Sequence, residues 1–291
     1  MDNYEVAIVG GGAAGLSAAL VLGRARRRVI VIDAGRPRNA PAAHMHGFLS
    51  RDGMPPGELL AAGRAEVRRY GVALVTERVV DALPGTVLHL SGGRRVEARH
   101  VLLATGAADV LPDEIEGARA RWGRDLLHCP YCHGWEVRDR PVGVLASAEH
   151  AQLLRQWTDD VTLLTHAAGS APAVDGVTVV DGIVARLVVD EDDRLRGAQL
   201  ADGREVAFEA LFIRPQLRPN ADNPAVLLGC ALRDDGLVHS DEEGRTSVPG
   251  VWAAGNATNP RAQVITAAGE GSAVAIAINT ALVHADVPAV R

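Results

Sequence analysis

Two residues separate Cys129 from Cys132, a spacing that lets a disulfide form and open with little backbone movement. Nearby charge can lower the pKa of one thiol and so produce the thiolate that attacks sulfur. The alternative is half of a zinc site, which needs further ligands. The only other cysteine is Cys230, no second C-x-x-C or His-x₃₋₅-His pair follows at a suitable spacing, and only His128 and His133 could join. The pattern favours a redox-active disulfide, with zinc as the alternative.

His133 directly follows the second cysteine. An imidazole with an unperturbed pKa near 6.5 can accept or release a proton at neutral pH, so His133 is a candidate acid or base; the alternative is a structural histidine. A long loop predicted over residues 35–56 contains His44 and His46, which could bind substrate or relay protons; the alternative is that they are solvated. Tyr131 and Trp135, beside the cysteines, could contact the substrate or only pack.

A glycine-rich turn provides a second candidate site. Gly10, Gly12 and Gly15 form G-x-G-x-x-G directly after an apolar run at residues 4–9, and Asp33 lies 18 residues beyond Gly15. The first glycine allows a tight turn, the second lets backbone approach a pyrophosphate, and the third permits close helix–strand packing. Asp33 can accept hydrogen bonds from a ribose. The pattern predicts a dinucleotide site, and a glycine turn without ligand is the alternative.

The order of predicted elements favours an α/β protein with two Rossmann-like, three-layer dinucleotide-binding domains, the second inserted into the first. We expect one domain from residues 1–112 and 243–291, and an inserted domain over 113–242 that carries the C-x-x-C. The predicted strands are 4–9, 29–32, 73–76, 86–90, 100–104, 141–145, 161–165, 178–180, 183–189, 195–200 and 205–213, of which the last four are expected to complete one smaller sheet. The first predicted helix follows Gly15 and ends at about Gly23. The other predicted helices cover 57–70, 149–157 and a long stretch from about 262.

Composition excludes several classes of protein. The chain has 291 residues, 47% hydrophobic and 23% charged, which excludes intrinsic disorder and disulfide scaffolds. A net charge of −6 with 3% aromatic residues offers no basic surface to nucleic acid. Neither a signal peptide nor a membrane span is expected, because the first apolar run breaks at Gly10 and the stretch 264–283 contains Glu270. Three cysteines indicate a reducing compartment, the cytoplasm, and Cys230 is expected to be a buried apolar residue.

These motifs together resemble the low-molecular-weight thioredoxin reductases, FAD-dependent pyridine nucleotide–disulfide oxidoreductases, over nearly the whole chain. Ala104-Thr105-Gly106 and Ala254-Gly255-Asn256 are similar to the two further flavin-contact motifs of that group, although most members have Asp where Asn256 stands. The resemblance implies a homodimer, and a last helix whose positive end faces the flavin. It implies that FAD contacts Gly10, Gly12, Ala14, Gly15, Asp33, Ala104, Thr105, Gly106, Gly255, Asn256, Gln263 and Val264.

The same resemblance implies roles for the cysteines. Cys132 would lie against the flavin and Cys129 would exchange with the substrate, while His133 replaces the Asp that serves as acid or base in the family. The family's NADPH motif G-x-G-x-x-A is altered, because both glycines are alanine at Ala146 and Ala148. Glu149 adds negative charge beside the phosphate position, and the strand end at 165–169 lacks the arginines that would hold a 2′-phosphate. NADPH binding is therefore doubtful, and a divergent working site is the alternative.

The stretch Cys-x-x-Cys-His-Gly and the altered NADPH motif resemble one branch, the dithiol oxidases that close disulfides in natural products of the gliotoxin, holomycin and romidepsin kind. The resemblance implies an FAD-dependent oxidase of a small-molecule dithiol, with O₂ as electron acceptor and H₂O₂ as product. The alternatives are a thioredoxin reductase-like disulfide reductase supplied by NAD(P)H or another donor such as ferredoxin, and a non-enzymatic flavoprotein redox sensor.

Overall fold

The computed structural model describes residues 2–83, 86–166 and 173–287. Predictions at Ala167, Ala168 and Gly169, and the parts of the predicted domains at 1, 84–85, 167–172 and 288–291, lie outside the described residues. The helices are α1 Ala13–Arg24, α2 Pro56–Arg68, α3 Ala118–Arg121, α4 Pro130–His133, α5 Ala148–Leu154, α6 Pro224–Leu227 and α7 Val264–Asp286, with a 3₁₀ turn at Gly255–Ala257.

The strands follow in chain order: β1 Asp2–Val9, β2 Val29–Ile32, β3 Ala73–Val75, β4 Val79–Leu83, β5 Val87–Leu90, β6 Arg95–Leu103, β7 Ala108–Val110, β8 Leu126–Leu127, β9 Val142–Leu145, β10 Val161–Leu164, β11 Thr178–Val180, β12 Val184–Val189, β13 Leu195–Leu200, β14 Glu205–Ala207, β15 Ala210–Phe212, β16 Gln216–Arg218 and β17 Val251–Ala253. Most predicted elements lie within three residues of these bounds. β6 begins at Arg95, five residues before the predicted start at His100. Eight shorter elements were not predicted: the strands β4, β7, β8, β16 and β17 and the helices α3, α4 and α6.

The first unit comprises residues 1–40, 56–108 and 217–291. Its sheet has the order β3-β2-β1-β6-β5-β4, with β17 also paired to β6. The strands β3, β2, β1, β6 and β17 are parallel, whereas β4 and β5 form an antiparallel extension. Because both faces of the parallel part are covered, β2 is a continuous apolar run whose four residues are all buried.

Helices α1 and α7 share one hydrophobic core with a face of this sheet. They approach closely because Gly271 has no Cβ, which would overlap the backbone of Ala14. By length and composition α7 is the one helix in the described part of the chain that could cross a membrane. A core helix passes the same test, and the buried stripe of α7, which includes Val274, Ile278 and Leu282, packs in this core.

The second unit comprises residues 41–55 and 109–216. Its main sheet has the order β11-β10-β9-β15-β8, and every pairing in it is parallel. Strands β12, β13 and β14 form a separate antiparallel sheet. Each unit therefore has the parallel sheet and β-α-β connection of a dinucleotide-binding fold, and the predicted fold class is confirmed.

Three predictions about organisation were wrong. Residues 41–55 were expected in the first domain but belong to the second unit, where Pro41 packs against Gly123. The chain returns to the first unit at residue 217 rather than 243, because Ala225, Cys230 and Val238 are buried in that unit's second core cluster. Cys230 is buried, as predicted. The single strand predicted over 205–213 is split into β14 and β15, which belong to different sheets, because the buried Phe208 lies in the turn between them.

Candidate functional site

The glycine turn after β1 has the geometry of a phosphate cradle. Gly10 has φ +110°, and a Cβ there would overlap the carbonyl oxygen of Ala104. A Cβ on Gly15 would overlap the carbonyl oxygen of Gly10, so the helix can approach the strand only without it. At Gly12, the N-cap of α1, a Cβ would meet no protein atom within 4 Å. Gly12 therefore opens the space that a pyrophosphate needs at the start of the helix.

The predicted ribose acceptor Asp33 is fixed by a residue that the sequence did not reveal. Arg64 Nη2 in α2 donates to Asp33 Oδ2 at 3.0 Å. Beyond Asp33, at the carboxyl ends of β2 and β3, lies a cavity of about 320 Å³. It is lined by Ala34, Arg36, Thr76, Glu77, Arg78 and Ser91. Since ligands of parallel α/β sheets bind outside the carboxyl ends of the strands, this cavity fits the adenosine end of a dinucleotide.

The segment Ala104-Thr105-Gly106 continues β6 at the same edge. The amide of Ala104 donates to Val9 O at 2.8 Å. The carbonyl of Thr105 accepts a hydrogen bond from Asn220 Nδ2 at 2.7 Å. Asn220 lies near the start of the segment 217–291, where the chain returns to the first unit. Gly106 has φ +65°, and a Cβ there would meet nothing within 4 Å. The segment thus leaves open space beside the glycine turn.

A network of side-chain contacts shapes the turn after β17. The amide of Gly255 donates to Glu270 Oε2 at 2.9 Å, and Asn259 Nδ2 donates to Glu270 Oε1 at 2.6 Å. Asn256 Nδ2 donates to the carbonyls of Asn259, at 2.9 Å, and Ala262, at 3.1 Å. A carboxylate could not make these two donations, so an aspartate would not serve in this position. Arg38 Nη1 donates to Asn256 Oδ1 at 3.4 Å.

The predicted FAD contacts of the first unit lie together. They follow β1, β2, β6 and β17, neighbouring parallel strands whose carboxyl ends form one edge of the sheet. A Cβ on Gly255 would be 3.0 Å from Ala14 Cβ, which places the turn after β17 against α1. Gln263 and Val264 are the N-cap and first residue of α7. The open space at Gly12 and Gly106 and the cavity beside Asp33 fit FAD.

The second unit contains the predicted redox pair. Cys129 and Cys132 form a disulfide with their Cα atoms 5.2 Å apart. Cys129 is the N-cap of the short helix α4, and the amides of Cys132 and His133 donate to its carbonyl at 3.1 and 3.2 Å. A Cβ on Gly134 would be 2.6 Å from Pro130 O and 2.7 Å from the Trp157 ring, so this glycine lets the redox helix pack.

His133 has the environment of a proton acceptor. It is half-buried, and burial lowers its pKa, an effect that Glu136 opposes and His46 reinforces. A lowered pKa keeps the imidazole neutral at pH 7 and able to accept a proton. The aromatic side chains predicted beside the motif are largely exposed, Tyr131 at 66% and Trp135 at 64%.

The two loop histidines differ. The segment 41–55 belongs to the second unit, where His46 Nε2 is 3.4 Å from Glu136 Oε1 and His46 Nδ1 is 3.4 Å from Asp52 Oδ2. His44 is exposed. The structure therefore brings His46 to the segment that follows the cysteines. Among residues 2–83, 86–166 and 173–287, no hydrogen bond or ion pair supports the predicted role of His44. Glu136 was missed because only the fold brings it to His46.

The altered nucleotide motif presents side chains at the turn after β9, where the family's motif has glycines. Ala146 keeps the positive φ, +54°, that a glycine would adopt at the turn after β9. Ser147, the N-cap of α5, accepts from the amide of His150, and Glu149 in the first turn pairs with Arg214 at 2.6 Å. At the end of β10, His166 Nδ1 accepts from the amide of Val184 at 3.1 Å. An exposed alanine and an exposed carboxylate thus stand in the turn where the family's motif has its pyrophosphate cradle.

Metal binding was the alternative at the cysteines. Among the residues that the structure describes, no group of three or more His, Cys, Asp or Glu side chains is placed to hold a metal ion.

Comparison with known proteins identifies the family of this fold. Residues 4–271 match the pyridine nucleotide-disulphide oxidoreductase family. Thioredoxin reductase sirT of Leptosphaeria maculans is 31% identical, over 98% of this chain and 96% of its own. Thioredoxin reductase tcpT of Claviceps purpurea is 33% identical, over 87% of this chain and 86% of its own. The chain spans only 39% of the length of a probable thioredoxin reductase of Arthroderma benhamiae, with 35% identity.

Two solved structures are similar over nearly the whole chain. The crystal structure of HlmI has a TM-score of 0.90 and 49% identity, and the match covers 98% of this chain and 94% of HlmI. The oxidoreductase from Agrobacterium tumefaciens has a TM-score of 0.88 and 36% identity, covering 98% of this chain and 99% of its own. The match implies FAD as cofactor and a flavin oxidoreductase activity. This chain belongs to the pyridine nucleotide-disulphide oxidoreductase family.

Proposed function

We propose that this protein is an FAD-dependent oxidase that forms a disulfide in a small-molecule dithiol, with O₂ as electron acceptor and H₂O₂ as product. The observation that carries the proposal is the altered nucleotide motif of the second unit. Alanine replaces the motif's two glycines at Ala146 and Ala148, and the Glu149 carboxylate pairs with Arg214, while the disulfide at the same sheet is retained. A dithiol–flavin protein without NADPH needs its electrons from another source, and a substrate dithiol supplies them.

The protein residues account for the sulfur chemistry. A substrate thiolate attacks Cys129 Sγ, the Cys129–Cys132 bond breaks, and Cys132 leaves as thiolate. His133 takes the proton of the second substrate thiol, which then attacks the substrate sulfur of the mixed disulfide and releases Cys129. The substrate leaves as a disulfide, and its two electrons remain on the two cysteines. FAD, when bound, transfers these electrons from the dithiol to O₂.

The exposed aromatic side chains support an apolar, small substrate. Tyr131 lies between the cysteines, and Trp135 carries Arg138 on its ring at 4.1 Å. Flat aromatic surfaces bind apolar rings at low entropic cost. We propose that they contact the substrate beside the disulfide, and that no nucleic acid takes part.

A thioredoxin reductase-like disulfide reductase, supplied by NAD(P)H or another donor, is the second candidate. The names of the relatives sirT and tcpT favour it. We also propose a cytoplasmic homodimer; in support, α7 exposes Ile265, Ile276 and Val283 away from its buried stripe. Light scattering on the purified protein measures the dimer directly.

Stoichiometry tests the proposed function. With dithiothreitol as substrate in air, we expect one O₂ consumed and one H₂O₂ and one cyclic disulfide formed per dithiol, without NADPH. The Cys129→Ser and Cys132→Ser variants measure the background rate at which dithiothreitol is oxidised without the redox disulfide. If turnover requires NADPH and reduces disulfides, the reductase is correct and the oxidase is not.

A further inference from the structure

The segment 41–55 is a folded loop fastened to the second unit. Its ends meet through the amides of Met45 and Gly53, which donate to Met54 O at 3.0 Å and to Met45 O at 2.9 Å. Met45 is buried. Gly123 lies so close to Pro41 that a Cβ on Gly123 would be 2.7 Å from Pro41 Cβ. The loop is therefore held at its start independently of any ion pair.

The second attachment is the ring of His46. Its two nitrogens face carboxylates on opposite sides, Glu136 Oε1 and Asp52 Oδ2, both at 3.4 Å. Asp52 is itself fixed inside the loop, because its Oδ1 accepts from the amide of Gly47 at 2.8 Å. An imidazole can donate to two carboxylates only when both nitrogens carry protons. His46 therefore bridges Asp52, inside the loop, and Glu136, after the redox helix.

The same two groups act on His133. Among the described residues of the second unit, the charged groups that affect His133 are Glu136, which favours its protonated form, and His46, which disfavours it. The groups facing His46 are Asp52, Glu136 and His133. Glu136, which faces His46, is thus also the group that favours the protonated form of His133.

We propose that Glu136 and His46 are positioning residues for His133: Glu136 holds the loop 41–55 at the redox helix through His46, and the pair balances the charge that His133 gains when it accepts a thiol proton. This rests on the proposed function. In each turnover two protons leave the substrate thiols and two enter H₂O₂, so His133 returns its proton. Glu136 stabilises the charged intermediate state of His133, and His46 promotes its return to neutral.

Histidine titration by NMR tests the proposal without catalysis. Carbon-13-labelled imidazoles are titrated in the FAD-loaded protein, with His133→Gln to assign the resonance. We expect the pKa of His133 to fall in Glu136→Gln and to rise in His46→Asn. Glu114→Gln is the matched control, since Glu114 Oε1 faces His166 Nε2 at the same 3.4 Å in the same unit, and it should leave His133 unchanged. If the two substitutions acted only by unfolding the loop, both would shift the pKa of His133 in the same direction. Shifts of the His133 pKa in the same direction in both variants, or no shift in either, therefore overturn the proposal.

Limited trypsin digestion tests the attachment. Arg51 is exposed in the loop, and cleavage after it should be several-fold faster in Glu136→Gln and His46→Asn than in Glu114→Gln or the unaltered protein. Equal rates in all four proteins contradict the attachment. Flavin reduction by dithiothreitol is followed in parallel. If the pKa of His133 shifts in opposite directions in the two variants but dithiothreitol does not reduce the flavin, the roles of Glu136 and His46 stand and the oxidase function is refuted. If dithiothreitol reduces the flavin but these shifts are absent, the oxidase function stands and the roles of Glu136 and His46 are refuted.

Discussion

The rings of His128 and His150 lie against each other with centroids 6.2 Å apart, although the two residues follow different strands of the second unit's sheet. His128 comes after β8, directly before Cys129, and His150 lies in the first turn of α5 after β9. The disulfide and the altered nucleotide motif therefore share one sheet edge. His150 Nδ1 is buried without a hydrogen-bond partner among the described residues, and burial lowers the pKa of His150.

Replacing either redox cysteine should abolish turnover of dithiol. In Cys129→Ser and Cys132→Ser no disulfide can form, so we expect at least a 10³-fold loss of dithiothreitol oxidation, the order of effect seen when a nucleophile is removed. Bound FAD should remain, since both cysteines lie in the other unit from the glycine cradle. Cys230→Ala is the control with normal turnover, because Cys230 is a buried packing residue. Undiminished oxidation in both serine variants would refute the proposed route.

Two glycines of the cradle should respond differently to alanine. Gly12→Ala meets no protein atom, so the apoprotein should fold with an unchanged melting temperature but lose the yellow colour of FAD. Gly15→Ala forces Cβ into the carbonyl of Gly10 and should lower the melting temperature of the apoprotein as well. Differential scanning calorimetry and flavin absorbance separate the two effects. A Gly12→Ala protein that retains FAD would contradict the placement of the pyrophosphate.

Restoring the family's aspartate should destabilise the turn before α7. In Asn256→Asp the donations to the carbonyls of Asn259 and Ala262 are lost and a carboxylate faces them, which costs about 1–3 kcal/mol of the free energy of unfolding. Asn220→Asp is the control: it loses a single hydrogen bond, the exposed one to the Thr105 carbonyl, so the free energy of unfolding should fall by less. Urea unfolding measures both. If Asn256→Asp is as stable as the unaltered protein, its amide does not hold the turn.

Acid should weaken the fold through buried histidines. Burial is the first cause of a lowered pKa at His100, His133 and His150. The unfolded chain protonates these rings near pH 6.5 while the folded chain keeps them neutral, so the unfolded state binds more protons and stability falls as the pH drops below 6.5. We expect the melting temperature to fall between pH 7.5 and pH 5.5.

His100 offers the clearest single test of this dependence. Its Nδ1 accepts from Trp252 Nε1 at 3.1 Å, which requires an unprotonated nitrogen. His100→Asn keeps an acceptor that does not titrate in this range, and the fall in melting temperature on acidification should be smaller. An equal or larger fall would mean that His100 is protonated in the folded protein.

The sequence predicted what local patterns determine. The tight turn requires Gly10, the open N-cap requires Gly12 and the close approach of helix to strand requires Gly15. The three glycines lie within six positions of the sequence, so the pattern was readable from the sequence. The run 29–32 is buried on both faces, so its strand was predicted with the correct bounds. The disulfide likewise depends on a spacing of three positions.

Nonlocal contacts explain what was missed. The return to the first unit at 217 depends on burial of Ala225 and Cys230 against strands far away in sequence. Arg64 and Glu136 have no motif around them, and only folding brings them to Asp33 and His46. Arg214 follows β15 and reaches Glu149 across the sheet edge, a pairing that no spacing in the sequence indicates.

The most direct test of the account is anaerobic mixing of the FAD-loaded protein with dithiothreitol and, separately, with NADPH, followed at the flavin absorbance near 450 nm. The account predicts that the dithiol bleaches the flavin, that NADPH does not, and that air restores the colour with formation of H₂O₂. Rapid bleaching by NADPH with no response to the dithiol would contradict it, because the nucleotide motif altered at Ala146 and Ala148 would then be a working site.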